Sequence, residues 1–370
     1  MDHPIASSTR DHLSSTHQAF QNVFFLARDH FLTHIMEHGV PRDVVDYIQR
    51  IFDYNITGGK QNRGMGVIET VEILKGGELS EKEYSQAATL GWAVEYLHAL
   101  SLIVDDMMDG STVRRGQPCW YLLEGIGSRT INDMGLLKSA IFKLLRDKFK
   151  SECFYGDLMD LFLDVAYKTE MGQCLDLVTA PRDVVNLASF SPSRHKLIVI
   201  YKTAIYTYYL PVALALLLCD FPLRPKWDPS ASVYTLSWNI LIPLGVYFQS
   251  QDDYIDYAGT QDQIGKVGTD IVDNKCSWCI VSALARASHE QLAALDAAYG
   301  RQDSADEADV KRVYREVDLD TQYARYEEAA VGNINKLIEG LTETKNQNGD
   351  AVLRKEVFRR LLRKIYRRKK

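Results

Sequence analysis

Residues Leu100–Tyr121 read "LSLIVDDMMDGSTVRRGQPCWY", an apolar run typical of a helix that ends in three aspartates and is followed by two arginines. Asp105 and Asp109 are four positions apart, so they share one face of a helix and repel each other. Such a pair is tolerated at the end of an apolar helix where positive charge is close. The stretch therefore predicts a core helix whose end needs positive charge nearby.

The pattern occurs a second time, in "QDDYIDYAG" at Gln251–Gly259. Asp252 and Asp256 are again four apart at the end of an apolar helical run. Hard oxygen ligands at this spacing suit Mg²⁺. We call Asp105–Asp109 the first aspartate motif and Asp252–Asp256 the second, and two copies together predict a shared metal site.

Helical periodicity dominates the chain, whereas strand signals are almost absent. Several of the helical stretches lack a polar side, which is typical of helices in the middle of a bundle. These observations predict an all-α protein with one large helical domain over residues 1–370. The polar stretches Gly300–Val310 and Thr342–Val352 are predicted to be exposed loops between late helices. The four clearest helical stretches are His17–Gly39, Thr89–Asp109, Gly156–Val178 and Ser193–Leu218.

Composition excludes several classes of protein. The net charge of −6 argues against general nucleic-acid affinity. The longest apolar run, Tyr209–Cys219, is well short of the roughly 20 residues that a membrane span needs, so we expect no stable membrane insertion. The N-terminus has neither the apolar core of a secretory signal nor the pattern of a transit peptide. We therefore expect a cytoplasmic protein whose six cysteines are free thiols.

Basic side chains accompany the aspartate motifs. Arg114 and Arg115 follow the first motif closely, and guanidinium groups match the geometry of phosphate oxygens. A glycine-marked loop, "TGGKQNRG", and later segments add Lys60, Arg63, Lys202 and Lys266. Each lysine or arginine alone is typical of a surface. Together with six carboxylates they predict a site for more than one polyanion.

The chain resembles the eukaryotic farnesyl diphosphate synthase family of trans-prenyl diphosphate synthases. The resemblance runs through "GGKQNRG", "DDMMDGSTVRRGQPCWY", "TEMGQCLDL", "YKTAIYTYYLP", "FQSQDDYIDYAG" and the terminal "KIYRRKK". It implies the isoprenoid synthase fold and a homodimer. It also implies that a central cavity binds an allylic diphosphate through three Mg²⁺ ions, and isopentenyl diphosphate in a basic pocket.

The resemblance also implies a role for individual residues. The expected metal ligands, direct or through water, are Asp105, Asp106, Asp109, Asp252, Asp253, Asp256 and Asp270. The residues expected to bind the allylic diphosphate are Arg114, Gln173, Asp176, Lys202 and Lys266. Those expected to bind isopentenyl diphosphate are His98, Lys60, Arg63, Arg115, Arg367 and Arg368, the last two in a tail that closes over this substrate. Arg114, Lys202 and Lys266 are also expected to act in catalysis, as are the oxygen dipoles of Thr203 and Gln249, which would face a carbocation.

One region departs from farnesyl synthases. Members of that group usually carry two aromatic residues at the fifth and fourth positions before the first aspartate, where this chain has Leu100 and Ser101. Ser101 lies one helical turn, about 5.4 Å, from Asp105. His98 replaces a usual glutamine, and "HALSLIVDD" is similar to a segment of geranylgeranyl and longer-chain synthases. We therefore expect a wider cavity and a C20 or longer product.

Three alternatives stay open at the level of sequence. A neighbouring helix could refill the space at Ser101, which would make the protein a strict C15 synthase. A terpene synthase of the same fold would ionise one diphosphate without a second substrate, although it would have no use for Lys60, Arg63 and Arg115. A catalytically silent partner subunit is the third alternative, although both aspartate motifs are complete.

Overall fold

The computed structural model describes residues 5–182, 184–223, 232–259 and 268–367, with side chains from residue 17 onward. Its helices are α1 (Ile5–Glu37), α2 (Arg42–Asn55), α3 (Asn62–Lys75), α4 (Glu81–Asp109), α5 (Thr130–Phe149), α6 (Tyr155–Thr179), α7 (Pro192–Leu218), α8 (Val233–Ala258), α9 (Trp278–Leu284), α10 (His289–Ala298), α11 (Ser304–Glu316), α12 (Leu319–Gly340) and α13 (Lys355–Ile365). This architecture confirms the predicted all-α class.

Two short antiparallel hairpins complete the described secondary structure, apart from single turns of 3₁₀-helix. The first pairs β1 (Val113–Arg114) with β2 (Gln117–Pro118), and the second pairs β3 (Thr344–Lys345) with β4 (Val352–Leu353). The second hairpin lies where a loop was predicted. The prediction failed because strands of two residues are too short to show the alternating pattern by which a strand is recognised in sequence.

The predicted loop at Gly300–Val310 is also only partly correct, since α11 begins inside it. The Asp303 carboxylate accepts a hydrogen bond from the backbone N–H of Ala305 and caps this helix. The segment has too few apolar residues to show a helical period in its sequence. One of them, Val310, is nevertheless fully buried.

The structure divides into two compact units, which we describe separately. The first comprises the chain up to Met159 together with Leu217–Cys219, and the second comprises Asp160–Leu216 and Asp220–Lys370. The prediction of a single domain over the whole chain stays a prediction.

Close packing of α3 on α4 organises the first unit. A Cβ added at Gly91 would lie 2.5 Å from the carbonyl oxygen of Gly64, so only glycine fits this approach. The ring of Phe20 stacks on Trp92 with centroids 4.3 Å apart, and the Trp92 indole N–H donates to the Phe20 carbonyl. These contacts fix the long helix that ends in the first aspartate motif.

In the second unit, the middle of α7 is wound as a π-helix from Ile200 to Tyr209. Pro211 follows this segment, and a proline removes one backbone donor and crowds the carbonyl of the residue four positions earlier, here Thr207. A Cβ added at Gly172 of α6 would lie 2.1 Å from the Lys202 backbone nitrogen, and one at Gly245 would lie 2.4 Å from the Ala204 Cβ. The wide turn is therefore held between two glycine contacts.

By length and composition, α4 and α7 would each be able to cross a membrane. Most of their apolar windows, 83% and 67% respectively, are buried within the chain's own packing. This burial is the property expected of core helices.

Candidate active site

The first aspartate motif occupies the last turn and a half of α4. This helix begins at a capping box formed by Ser80 and Glu83, and it ends at Gly110, which adopts a left-handed conformation with φ of 65°. Three carboxylates here meet the negative end of the helix dipole as well as one another. The arrangement is unfavourable without nearby cations.

Arg114 supplies one of these cations. Its guanidinium binds the buried carboxylate of Asp106 at 2.5 Å from Nη2 and 2.9 Å from Nε, and it lies 3.8 Å from Asp105. Burial alone would lower the pKa of Arg114, but the bonds to Asp106 and the charge of Asp105 raise it. Burial and the Asp106 carboxylate also raise the pKa of the Cys119 thiol to about 12. Asp106 is thus anchored within the protein, and Asp105 and Asp109 form the more accessible pair of the motif.

The β1–β2 hairpin positions both arginines. Arg115 and Gly116 form its two-residue turn with φ values of 54° and 76°, which is the geometry of a type I′ turn. Arg114 lies in the strand and binds Asp106, whereas the Arg115 guanidinium lies over Gly58 and Gly59. A Cβ added at either glycine would come within 3.0 Å of it.

The glycine loop brings further basic groups together within the first unit. Lys60 is exposed on this loop, and the Arg63 guanidinium lies 3.3 Å from the Nε2 atom of His98. The buried Glu95 carboxylate accepts a hydrogen bond from the Gly64 N–H at 2.8 Å. Burial raises the pKa of Glu95, and the charge of Arg63 opposes this shift. Glu95 was not predicted, because a glutamate inside an apolar helix has no motif of its own.

The neutral form of His98 is favoured. Burial lowers its pKa well below the usual value, and the charges of Arg63, Arg115 and Arg114 lower it further. The unprotonated ring nitrogen can therefore accept a hydrogen bond from Arg63.

The second aspartate motif repeats the arrangement at the end of α8. Asp252 is exposed and Asp256 is partly exposed, whereas Asp253 is buried. The Asp253 carboxylate accepts hydrogen bonds from the His195 ring, the Gln249 amide and the Trp278 backbone N–H, all between 2.8 and 2.9 Å. As in the first motif, the carboxylate of the middle acid already accepts hydrogen bonds from other groups of the protein. Asp253 and Asp106 therefore fit an anchoring role better than direct metal coordination.

A turn after α8 contacts Asp256. Backbone N–H groups of Thr269 and Asp270 donate to its carboxylate at 3.3 and 3.0 Å. A Cβ at Gly268 would lie 2.1 Å from the Asp256 carbonyl oxygen, so this approach requires glycine. Asp270 is thereby held beside Asp256.

A basic cluster lies at the π segment of α7. The Asp176 carboxylate binds the Lys202 ammonium at 2.6 Å and the Lys275 ammonium at 3.2 Å. The side-chain nitrogen of Gln173, one turn earlier on α6, is buried and has no hydrogen-bond partner among the described residues. Two ammonium groups and an unpaired amide donor are suited to an anion. Sequence reasoning missed Lys275, although it lies in "GKVGTDIVDNKCSW" beside the second motif.

The remaining predicted residues are placed as follows. Thr203 lies in the π segment beside Lys202, and Gln249 uses its amide nitrogen for Asp253, which leaves the amide oxygen as its other polar atom. The Arg367 guanidinium lies 5.1 Å from the Tyr366 ring centroid. Lys266 and Arg368 lie outside the described residues.

The two residues expected to set product length lie on α4. Leu100 is buried, and Ser101 is partly exposed, with its hydroxyl donating to the Leu97 carbonyl at 2.9 Å. The Ser101 hydroxyl thus bonds to its own helix.

The donor set fits Mg²⁺. This ion is usually held by one or two carboxylates together with water and substrate phosphate oxygens. Each motif offers an accessible pair of carboxylates four positions apart, with the middle acid anchored. Among the described residues, no three His, Cys, Asp or Glu side chains converge on one position, so oxygens of the substrate would complete the coordination.

An all-helical protein with two aspartate motifs at helix ends and separate basic clusters has the features of an isoprenoid diphosphate synthase. A family model described as polyprenyl synthetase matches residues 45–317. The farnesyl pyrophosphate synthase of Ganoderma lucidum is 50% identical over 95% of this chain and 98% of its own length, and that of Schizosaccharomyces pombe is 46% identical over 95% and 97%.

A solved structure agrees with the sequence relatives. Farnesyl diphosphate synthase of T. brucei in complex with risedronate superimposes with a TM-score of 0.83 at 34% identity, covering 96% of this chain and all of that one. The chain belongs to the polyprenyl synthetase family. It is a short-chain prenyl diphosphate synthase, a prenyltransferase whose substrates are isoprenoid diphosphates, and the expected resemblance is confirmed.

The low pKa of His98 predicts a pH-dependent stability. The unfolded chain binds a proton at this histidine below about pH 6.5, whereas the folded chain does not, so wild-type stability falls as the pH falls through this range. We expect His98→Gln to remove this loss. Urea unfolding should show the free energy of unfolding of the variant gaining about 1.4 kcal/mol on the wild type between pH 7.5 and pH 5.5.

Gln18→Ala provides the control, because it changes an exposed side chain that does not titrate, and it should leave the pH dependence of the wild type unchanged. Parallel pH dependences of His98→Gln and the wild type would contradict a neutral His98.

Proposed function

We propose that this protein condenses isopentenyl diphosphate with dimethylallyl and geranyl diphosphates and releases farnesyl diphosphate, a C15 product, as its main product. The observation that carries the proposal is the repeated helix end, in which two accessible carboxylates flank an anchored one. The basic clusters support two diphosphate substrates. A terpene synthase would need only one of them.

For the allylic diphosphate, we propose the cluster of Lys202, Lys275 and Gln173 together with Arg114. The Gln173 amide nitrogen supports this assignment, because a buried donor that has no partner among the described residues is costly. For isopentenyl diphosphate, we propose Lys60, Arg63, His98 and Arg115, with Arg367 and Arg368 of the tail. The close approach of Arg63 to a neutral His98 keeps this guanidinium oriented.

Catalysis is then mainly electrostatic positioning. The allylic C–O bond breaks, and its electron pair leaves with the diphosphate, whose charge is held by Lys202, Lys275 and Arg114. The oxygens of Thr203 and Gln249 and the Lys202 carbonyl face the resulting cation. The double bond of isopentenyl diphosphate attacks this cation to form the new C–C bond. A proton is then lost to the released diphosphate, and a new double bond forms.

Bound Mg²⁺ would neutralise charge on the leaving diphosphate, and members of the family are generally Mg²⁺-dependent. Asp105, Asp109, Asp252 and Asp256 are the residues that would hold it, with Asp270 beside Asp256. A total of three ions per active site is part of the proposal. A cytoplasmic location, inferred from the N-terminal sequence, stays a prediction.

The C15 product is better supported than the C20 product expected from Ser101. The relatives that align over nearly the full chain are named farnesyl pyrophosphate synthases. A C15 limit requires that another side chain occupy the space that serine leaves at position 101.

An apolar stripe on α6 supports the proposed homodimer. Leu163, Tyr167, Met171 and Val178 are exposed by 49%, 62%, 40% and 73%, and their spacing places them on one helix face. Adjacent exposed apolar side chains of this size favour contact with protein. We therefore assign this face to a second copy of the chain.

The function predicts that both aspartate motifs are essential. We expect Asp105→Ala and Asp252→Ala each to lower turnover roughly 100-fold or more, because each removes a ligand of the Mg²⁺ that would neutralise charge on the same diphosphate. Turnover is measured with geranyl and isopentenyl diphosphates, and circular dichroism checks the fold. Asp296→Ala, at an exposed aspartate of α10, should keep wild-type turnover. Near-normal activity of either motif variant would refute the shared site.

Product length is tested with C5, C10 and C15 primers. We expect the wild type to extend the first two, to stop at C15, and to leave farnesyl diphosphate unchanged. Ser101→Phe should keep C15 as the longest product while overpacking costs about 1–3 kcal/mol of stability. A dominant C20 product that Ser101→Phe shortens to C15 would instead establish the serine as the open end of the cavity.

The dimer is tested by sedimentation velocity. The wild type should sediment as two copies, and Tyr167→Asp, which places a charge in the α6 stripe, should shift it toward one copy. Val44→Asp is the control, because Val44 is an exposed apolar residue of α2 outside the stripe. A wild type that sediments as a single chain would exclude this role for α6.

A further inference from the structure

The buried Asp253 carboxylate joins three elements of the second unit. His195 of α7 contacts its Oδ2 atom through Nε2 at 2.9 Å, and the backbone N–H of Trp278, the first residue of α9, donates to the same oxygen at 2.8 Å. Gln249, one turn earlier on α8, donates to Oδ1. His195 and Asp253 are only 5% and 6% exposed. The carboxylate is therefore a fixed point between helices.

This fixed point sets the orientation of the second aspartate motif. Successive residues of a helix are rotated by about 100°, so the direction of Asp253 determines the directions of Asp252 and Asp256. Gln249 lies on the same helix and would rotate with it. Among the donors to the Asp253 carboxylate, those that come from other helices are therefore His195 and the backbone of Trp278.

We propose that His195 is a positioning residue for the Mg²⁺-diphosphate site: its Nε2–H holds Asp253 so that Asp252 and Asp256 present their carboxylates to the metal. An ionised carboxylate only accepts hydrogen bonds, so Nε2 carries the hydrogen in this contact. Groups that do not touch a metal can still orient its ligands, and here His195 would act on Asp252 and Asp256 through the helix that carries Asp253. The inference rests on the proposed function, because it assigns the second motif to Mg²⁺.

The first motif supports the inference independently. There the middle acid, Asp106, is also buried and held by a side chain from another element, Arg114. The two motifs share this plan but use different donors. Arg114 is itself assigned to substrate charge, whereas His195 is enclosed and contacts the anchored acid, so its contribution is confined to orientation.

The experiment measures binding of inorganic diphosphate as a function of Mg²⁺ by isothermal titration calorimetry on the full chain. His195→Phe keeps a ring and removes the donor, and we expect a roughly 10- to 100-fold higher Mg²⁺ requirement. His195→Gln places an amide N–H near the position of Nε2 and should restore most of the affinity. His195→Asn, whose shorter amide does not reach that position, should behave like the phenylalanine variant.

A matched control separates orientation from general stability. The Tyr234 hydroxyl donates to the Phe221 carbonyl in the same unit, and Tyr234→Phe removes this buried bond without approaching the motif. We expect a lower unfolding temperature but an unchanged Mg²⁺ requirement. Wild-type affinity in folded His195→Phe or His195→Asn, or no recovery in folded His195→Gln, would overturn the proposal. Wild-type affinity in Asp252→Ala would instead refute the metal site itself, and the inference with it.

Discussion

Repulsion among acids at the C-terminal ends of two helices is the constraint on which the described site depends. In each motif, carboxylates lie close to one another and to the negative end of a helix dipole, where cations are favoured. The protein resolves the problem in two parts. The middle acid is buried and paired with donors of the chain, and the outer acids stay accessible to positive charge from outside. The first part is structure, and the second is what the proposed metal site would use.

Much of this organisation could be predicted from sequence. Helical periodicity gave the all-α class, and the spacing of Asp105 and Asp109 gave the shared helix face. Spacing could not distinguish an anchored acid from an accessible one, because this depends on donors that are distant in sequence. His195 and Asp253 are 58 positions apart, and Lys275 and Asp176 are 99 apart. Arg114 could be placed near the motif because it follows Asp106 by only eight positions.

Position 101 shows a second limit of prediction from sequence, which concerns the volume of a cavity. The sequence reveals which side chain is missing there, but the volume of a cavity also depends on side chains of other elements. A single small residue is therefore weaker evidence for product length than similarity over nearly the whole chain to relatives named farnesyl pyrophosphate synthases. The π segment of α7 is a similar case. Its wide turn depends on glycines in two other helices, and neither glycine is marked by a local pattern.

The β1–β2 hairpin carries both Arg114, proposed to bind the allylic diphosphate, and Arg115, proposed to bind isopentenyl diphosphate. Arg114 is the last residue of β1 and Arg115 is the first of the two turn residues, so the directions of both side chains follow from the geometry of one type I′ turn. Inserting or deleting one residue would change the type of turn and, with it, both directions rather than one of them. An evolving or engineered enzyme therefore cannot retune the contact of one guanidinium by changing the loop length without disturbing the other. Variation in substrate preference is accordingly expected to come from point substitutions in the surrounding helices, while the length of this turn stays fixed.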